Sequence, residues 1–146
     1  MGSIFAAMRR CQLFDGIPEE KYQNVLNCLH GEVRTVLKDT VLLRIGDCQR
    51  RPGVVMFGTL KMSRYSEDGN LLTIARLRRG RVFGETVVCS MSQDSPIQID
   101  ALNDTEVLYL DFDPLLLQQE NVCPYRMRVT ANLLQEMGRG ALFLNQ

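Results

Sequence analysis

The chain has 146 residues, 45% of them hydrophobic, and its 17 basic side chains balance 17 acidic ones. This length suits a single domain, 1–146, that can bury a sizeable core. Zero net charge gives none of the basic excess that free-standing nucleic-acid-binding proteins carry, so we expect no specific DNA binding by this chain. No apolar run approaches the roughly 18 residues of a membrane span and no signal peptide is recognisable, which predicts a cytoplasmic protein without membrane contact.

The five cysteines and the single histidine limit the chemistry that the chain can perform. No two cysteines form a Cys-x-x-Cys pair, and their irregular spacing favours reduced thiols over a zinc site or a disulfide framework. With His30 alone, neither a Ser-His catalytic pair nor a multi-histidine metal centre can be built. We therefore expect a protein that is not an enzyme and that holds no metal ion.

The first 31 residues are predicted to be a helical segment. Pro18 suits the first turn of a helix, and Gly31 is expected to end it. Between them, apolar residues recur with helical spacing at Tyr22, Val25, Leu26 and Leu29.

Residues 32–110 are predicted to form a β-barrel. Short β-type runs alternate with turn glycines at a spacing of eleven or twelve residues, which is typical of an antiparallel sandwich or jelly roll. The predicted strands are Val33–Leu37, Val41–Ile45, Val54–Phe57, Leu60–Tyr65, Leu71–Leu77, Ile97–Ala101 and Val107–Leu110.

Residues 111–146 are predicted to contain a short helix that begins at Asp113-Pro114 and a longer helix that Pro124 opens. The longer helix carries a heptad-like apolar seam, which favours a homodimer over a single amphipathic helix on its own sheet. Val129 and Leu133 lie off this seam, where they could pack on the chain's own barrel. The predicted dimer interface consists of Met127, Thr130, Leu134, Met137, Ala141 and Leu144.

The segment Gly80–Glu85, followed by Ser95–Leu102, resembles the nucleotide-binding cassette of the cyclic-nucleotide-binding domains in Crp/Fnr transcription regulators. In that family the Glu of a Phe-Gly-Glu turn holds the ribose hydroxyl, and an Arg-Ser/Thr-Ala run clamps the cyclic phosphate. The resemblance implies a mainly β fold with flanking α-helices: a double-stranded β-helix (jelly-roll) barrel with an N-terminal helix and a long C-terminal dimerisation helix. Further matching segments are Leu13–Ile17, Ile45–Asp47, Phe57–Lys61 and Glu106–Leu110.

The resemblance also assigns a candidate ligand-binding site. Alignment of the family's Ala-Leu pair with Ala101-Leu102 puts Ser95 where the phosphate-binding Arg belongs and Pro96 where the Ser/Thr belongs. Neither residue can replace the guanidinium, so we expect cyclic AMP and cyclic GMP to bind weakly or not at all. Arg81 is a candidate contact for an anionic effector, and Glu85 is explained equally well by pocket lining and by helix capping. The candidate ligand-binding residues are Arg81, Phe83, Gly84, Glu85, Thr86, Ser95 and Pro96.

The implied function is effector sensing and dimerisation in a Crp/Fnr-like transcription regulator, with an unknown effector that is a small anionic or organic molecule rather than cyclic AMP. DNA binding would need a helix-turn-helix domain, and no such domain is recognisable in this chain. The apolar period still runs at Gln146, which indicates the sensor half of a longer regulator or a natural stand-alone version. The alternatives are a ligand-free structural dimerisation module, a redox sensor that uses Cys48 or Cys89, and a haem sensor ligated by His30, since some family members bind haem.

Overall fold

The computed structural model describes residues 2–48, 51–85, 94–116 and 124–144. The α-helices are α1 (Gly2–Arg10), α2 (Tyr22–Cys28), α3 (Asp113–Leu116) and α4 (Arg126–Leu144), and two short 3-10 helices cover Gln12–Phe14 and Glu19–Lys21. The strands are β1 (Glu32–Val36), β2 (Val41–Leu43), β3 (Gly53–Phe57), β4 (Leu60–Tyr65), β5 (Leu71–Leu77), β6 (Val82–Phe83), β7 (Gln98–Ala101) and β8 (Thr105–Tyr109).

The eight strands form two antiparallel four-stranded sheets, with the order β1-β8-β3-β6 in sheet A and β2-β7-β4-β5 in sheet B. This arrangement confirms the predicted mainly β fold with flanking helices. All seven predicted strands are present, with ends that differ by at most two residues. Strand β6 was not predicted, because two residues are too few to show an alternating pattern.

Three strands of sheet A, β3, β6 and β8, send alternate side chains into two different cores, whereas the edge strand β1 is mostly exposed. Val54 and Met56 of β3 enter a helical core, which also includes Leu108 of β8 and buried residues of the helices. Val55 of β3 and Val107 of β8 point the other way, toward sheet B. There they form a barrel core together with six further buried residues, namely Leu43, Leu60, Leu77, Phe83, Ile99 and Ala101.

The N-terminal segment is helical, but its helices differ from the predicted one. Helix α1 was not predicted, although it buries Ala7 and Met8 in the helical core. The helix expected from Pro18 starts as a 3-10 helix and is α-helical only over α2. Gly31 was expected to end this helix. Helix α2 instead ends at Cys28, and the left-handed residue that follows it is His30, with a φ of 51°.

Helix α4 is fixed to the helical core by two apolar residues and one amide. Val129 and Leu133 are 0% and 3% exposed, which confirms that they pack on the chain's own core. Asn132 is also buried, and its Nδ2 donates to the carbonyl oxygens of Leu13 at 2.9 Å and Asp15 at 2.8 Å. These directional hydrogen bonds define the position of α4 along the N-terminal segment more narrowly than apolar contacts alone.

The predicted dimer seam of α4 does not form one uniformly exposed stripe. Met127 and Leu134 are 86% and 65% exposed, whereas Met137 packs partly against the helical core. The buried hydroxyl of Thr130 has no hydrogen-bond partner among the described residues. The homodimer therefore stays a prediction, and the side chains of two seam residues lie outside the described part of the chain, namely Ala141 and Leu144.

We expect Asn132→Ala to lower the free energy of unfolding by about 2–3 kcal/mol, because the buried carbonyl group of Leu13 and the partly buried one of Asp15 lose their donor. The matched control is Gln135→Ala on the exposed side of the same helix, which should change it by less than about 0.5 kcal/mol. Urea unfolding followed by circular dichroism measures both variants. Equal effects of the two substitutions would contradict the proposed anchoring role of Asn132.

Candidate functional site

The cassette begins at β6, which holds Phe83 in the interior of the barrel. Strand β6 pairs with β3 through Gly53 opposite Phe83 and Val54 opposite Val82. The Phe83 ring is 1% exposed and makes an edge-to-face contact with Tyr109, at 6.1 Å between ring centroids. A Cβ at Gly53 would collide with this ring, so glycine is required opposite it. Phe83 thus supports the cassette from within the barrel core.

Gly84 and Glu85 turn the chain out of β6 toward the helices. Gly84 has a φ of 80°, a conformation that glycine adopts without strain. The pKa of the Glu85 carboxyl is raised to about 7, chiefly because the carboxyl is buried. The charge of Glu136 in α4 raises this pKa further, whereas a hydrogen bond from the backbone N–H of Glu85 and the charge of Arg81 lower it. The carboxyl group therefore lies within electrostatic reach of α4. Thr86, the next predicted site residue, lies outside the described residues.

Ser95 and Pro96, at the predicted phosphate grip, form a tight turn that uses its own polar groups. Ser95 is 2% exposed; its Oγ donates to the Ile97 carbonyl oxygen at 2.8 Å and accepts from the Ile97 N–H at 3.2 Å. The Ser95 N–H donates to the carbonyl oxygen of Asp47 at 2.8 Å, which ties the turn to the loop after β2. Pro96 is exposed. No hydrogen bond between described residues joins this turn to Glu85.

Arg81 is the cation nearest to the Phe83–Glu85 turn in sequence, and its side chain is exposed. Its backbone is fixed, because the N–H donates to Arg78 O and the carbonyl oxygen accepts from Val55 N–H, both at 3.0 Å. Its guanidinium forms no ion pair with any residue that the structure describes, although its charge lowers the pKa of Glu85. Arg81 and Glu85 thus lie within electrostatic reach of each other, whereas Ser95 lies on a turn that no hydrogen bond between described residues joins to Glu85.

The residues of the thiol and haem alternatives lie in different surroundings. Cys11 is buried, and burial is the main cause that raises the pKa of its thiol to about 12, so this thiol stays protonated. Cys48 is exposed, and Cys89 lies outside the described residues. His30 has a side chain 67% exposed, and its Nδ1 lies 3.2 Å from Asp111 Oδ2.

Two further features bear on the function classes considered from the sequence. Within the described ranges, no group of three or more histidine, cysteine or acidic side chains is placed to hold a metal ion. None of the helices in the same ranges has the length and apolar character needed to cross a membrane.

Sequence reasoning missed Glu136, which lies on α4, 51 residues after Glu85. Both carboxylates raise the pKa of the Cys11 thiol, so α4, the cassette and the segment after α1 meet in one region. A weak signal for Glu136 existed, because it follows Val129 by seven residues and so lies on the same side of the helix. No pattern in the sequence around Glu85 indicated that the cassette would face the side of α4 that carries Glu136.

We expect Glu85→Gln to raise stability at pH 8 and to leave it almost unchanged at pH 4. A carboxyl whose folded-state pKa is raised from 4.5 to about 7 contributes stability below pH 4.5 and loses it as the pH rises through 7. Since one pKa unit corresponds to about 1.4 kcal/mol, the gain at pH 8 should be about 1–3 kcal/mol.

Urea unfolding at pH 4, 6 and 8 measures this difference. The control is Glu67→Gln, which removes a carboxylate from an exposed turn outside the cassette. If Glu85→Gln and the unmodified chain gave parallel stability curves, Glu85 would not be the titrating group.

Solved structures of low sequence identity share this fold. The Thermus thermophilus catabolite activator protein matches with a TM-score of 0.69 and 22% identity, over 92% of this chain and 57% of that protein. The N-terminal domain of a transcriptional regulator from Streptomyces coelicolor gives 0.67 and 24%, over 95% and 94% of the two chains. A cyclic nucleotide-binding domain from Methylobacillus flagellatus gives 0.79 and 19%, over 99% and 78%.

The chain thus spans less than two thirds of the Thermus protein, and identities below 25% establish a shared fold alone. No curated protein matches the chain in sequence. The sequence model of the cyclic nucleotide-binding domain, however, matches residues 33–117, which is more than half of the chain. The resemblance found in the sequence is confirmed, and the chain belongs to the cyclic nucleotide-binding domain family.

Proposed function

We propose that this chain is the effector-sensing and dimerisation domain of a Crp/Fnr-like transcription regulator in the cytoplasm, and that it does not respond to cyclic AMP. The fold and the family support the sensor role. One observation supports the proposal that cyclic AMP is not the effector. Ser95, at the position of the family's phosphate-binding arginine, is buried, and its hydroxyl is hydrogen-bonded to Ile97. DNA binding in such a regulator belongs to a helix-turn-helix domain outside this chain, and no enzymatic step is proposed.

The turn at Ser95 offers little to an anionic phosphate. A serine whose Oγ already donates and accepts locally has no second proton to give, and Pro96 has no backbone N–H. The cyclic phosphate would therefore enter the site without a charged partner on this turn, which is unfavourable away from water. Arg81, on the other side of the cassette, would instead contact an effector that is a small anionic or organic molecule.

A route from the cassette to the dimerisation helix follows from the position of Glu85. Its carboxyl lies within electrostatic reach of Glu136, and α4 is fixed to the same core through Val129 and Leu133. An effector that changed the charge or position of Glu85 would act directly on α4. Two arrangements of α4 with different affinities for the effector would then couple the site to the partner subunit.

A second candidate function is a ligand-free dimerisation module. It is favoured by the barrel core, which is filled by eight buried hydrophobic residues, including the Phe83 ring of the cassette itself. Native mass spectrometry of the purified chain separates the two candidates. A bound small molecule supports the sensor, whereas a ligand-free protein that still dimerises supports the module.

We expect calorimetric titration of the unmodified chain to show that cyclic AMP and cyclic GMP bind weakly or not at all. Loss of a charge-assisted fork worth about 1.5–3 kcal/mol weakens binding by about ten- to a hundredfold. The variant Ser95→Arg/Pro96→Ser restores the family's residues and should tighten cyclic AMP binding at least about tenfold. Pro96→Ser alone, which restores only a hydroxyl, is the control.

Circular dichroism would verify that the double variant folds, because the arginine replaces a buried side chain. A low-micromolar dissociation constant for the unmodified chain would overturn the proposal that cyclic AMP is not the effector.

We expect the chain to be a homodimer through α4, because Met127 and Leu134 would otherwise leave large apolar side chains in water. Leu134→Glu places a charge at the centre of the seam and should give a monomer. Gln135→Glu, on the next exposed residue of the same helix, should leave the dimer intact. Light scattering over a range of concentrations measures both, and a monomeric unmodified chain at high concentration would refute the prediction.

A further inference from the structure

One end of the barrel carries an open depression of about 740 Å³, here called the basic groove. Three turns meet there, those after β3, β5 and β7, together with the last residue of α1 and the segment between β1 and β2. Its charged and aromatic lining consists of Arg10, Lys38, Phe57, Arg78, Arg79 and Asp104.

The basic groove has an excess of positive charge that the fold leaves unbalanced. None of its four cations forms an ion pair with any described residue, whereas the neighbouring Arg9 is paired with Glu19. The groove contains one carboxylate, Asp104, whose Oδ1 accepts the backbone N–H of Lys38 at 2.9 Å. Four cations against one carboxylate give the groove a net positive potential in a chain of zero net charge.

The backbone beneath the groove is closely packed. Gly58 has a φ of 87°, and a Cβ there would lie 2.6 Å from the carbonyl oxygen of Asp104. Gly80 has a φ of 89°, and a Cβ there would lie 2.8 Å from the carbonyl oxygen of Arg10. The Nε of Arg79 donates to the Met56 carbonyl oxygen at 3.1 Å, which fixes one side of this guanidinium. The turns that carry the cations are thus held in place before any partner arrives.

Phe57 gives the groove an apolar contact point. The four preceding residues of β3 are buried, but Phe57 at the end of the strand is 54% exposed. A half-exposed aromatic ring in the same depression as four cations without ion pairs is typical of a protein interface, where aromatic residues and arginines are enriched.

We propose that the basic groove binds an acidic segment of a partner protein that also carries an apolar side chain. The carboxylates of the segment would pair with Arg78, Arg79, Arg10 and Lys38, with the arginines able to bind in bidentate geometry. The apolar side chain would cover Phe57. This interaction goes beyond effector sensing and does not depend on the identity of the effector.

A protein segment fits the basic groove better than a nucleic acid or a small anion. A nucleic acid requires a longer row of cations along its backbone, and Asp104 would repel its phosphates. A small anion requires an enclosed site with converging buried polar groups, whereas this depression is open and its cations are mostly exposed.

The test is fluorescence anisotropy of the full chain with a labelled probe peptide of eight glutamates interrupted by one central phenylalanine. We expect Arg78→Glu to weaken binding at least about tenfold, because a favourable charge pair becomes a repulsive one. The control is Arg64→Glu, at another exposed arginine, which lies in β4 and does not line the groove, and it should change binding less than about twofold.

Phe57→Ala tests the apolar contact. It should lower the affinity for the probe peptide to that for an all-glutamate peptide and leave binding of the all-glutamate peptide unchanged. Equal effects of Arg78→Glu and Arg64→Glu would overturn the proposal. Displacement of the probe peptide by pyrophosphate or by an eight-nucleotide single strand at equal concentration would also overturn it, in favour of a general anion site.

Discussion

The structure depends on the burial of β3 and its neighbours β6 and β8 on both faces of sheet A. Within β3, the adjacent residues Val54 and Val55 are each fully buried, yet they belong to different cores. A strand that is apolar on both faces must have a layer packed against each of them, here the helices on one side and sheet B on the other. A polar substitution at either position would therefore weaken the attachment of a whole layer, since apolar burial is the main term that holds the layers together.

This two-sided burial explains how the cassette is built. Strand β6 is only two residues long, and it contributes Val82 to the helical core and Phe83 to the barrel core. After the left-handed Gly84, the chain leaves the sheet with Glu85 within electrostatic reach of α4. The carboxylate that the sequence places at the candidate pocket is thereby also close enough to the helices for the charge of Glu136 to raise its pKa. In the proposed sensor this position couples the site to the dimerisation helix without any intervening linker.

The net charge of the chain did not predict the local charge of its surface. Seventeen cations and seventeen anions sum to zero, which argues against nucleic-acid binding by the whole chain. The fold nevertheless gathers four cations from three separate segments at one end of the barrel, namely Arg10, Lys38, Arg78 and Arg79. Local potential depends on which turns meet in space, and net charge carries no information about that.

Strands such as Leu60–Tyr65 and Leu71–Leu77 could be predicted from the sequence, because short runs of β-type residues between turn glycines are a local signal. The family could also be recognised, because the Phe-Gly-Glu turn is a local motif. The sequence pattern showed less about elements held by distant contacts. It did not determine β6 or α1, whose burial comes from distant neighbours. The hydrogen bonds of Ser95 within its own turn and the electrostatic influence of Glu136 on Glu85 became evident only in the folded chain. The position of the Ser95 turn against Asp47 and the position of Glu85 relative to α4 both depend on segments far apart in the chain. A local sequence pattern does not indicate which distant segment a buried side chain will contact.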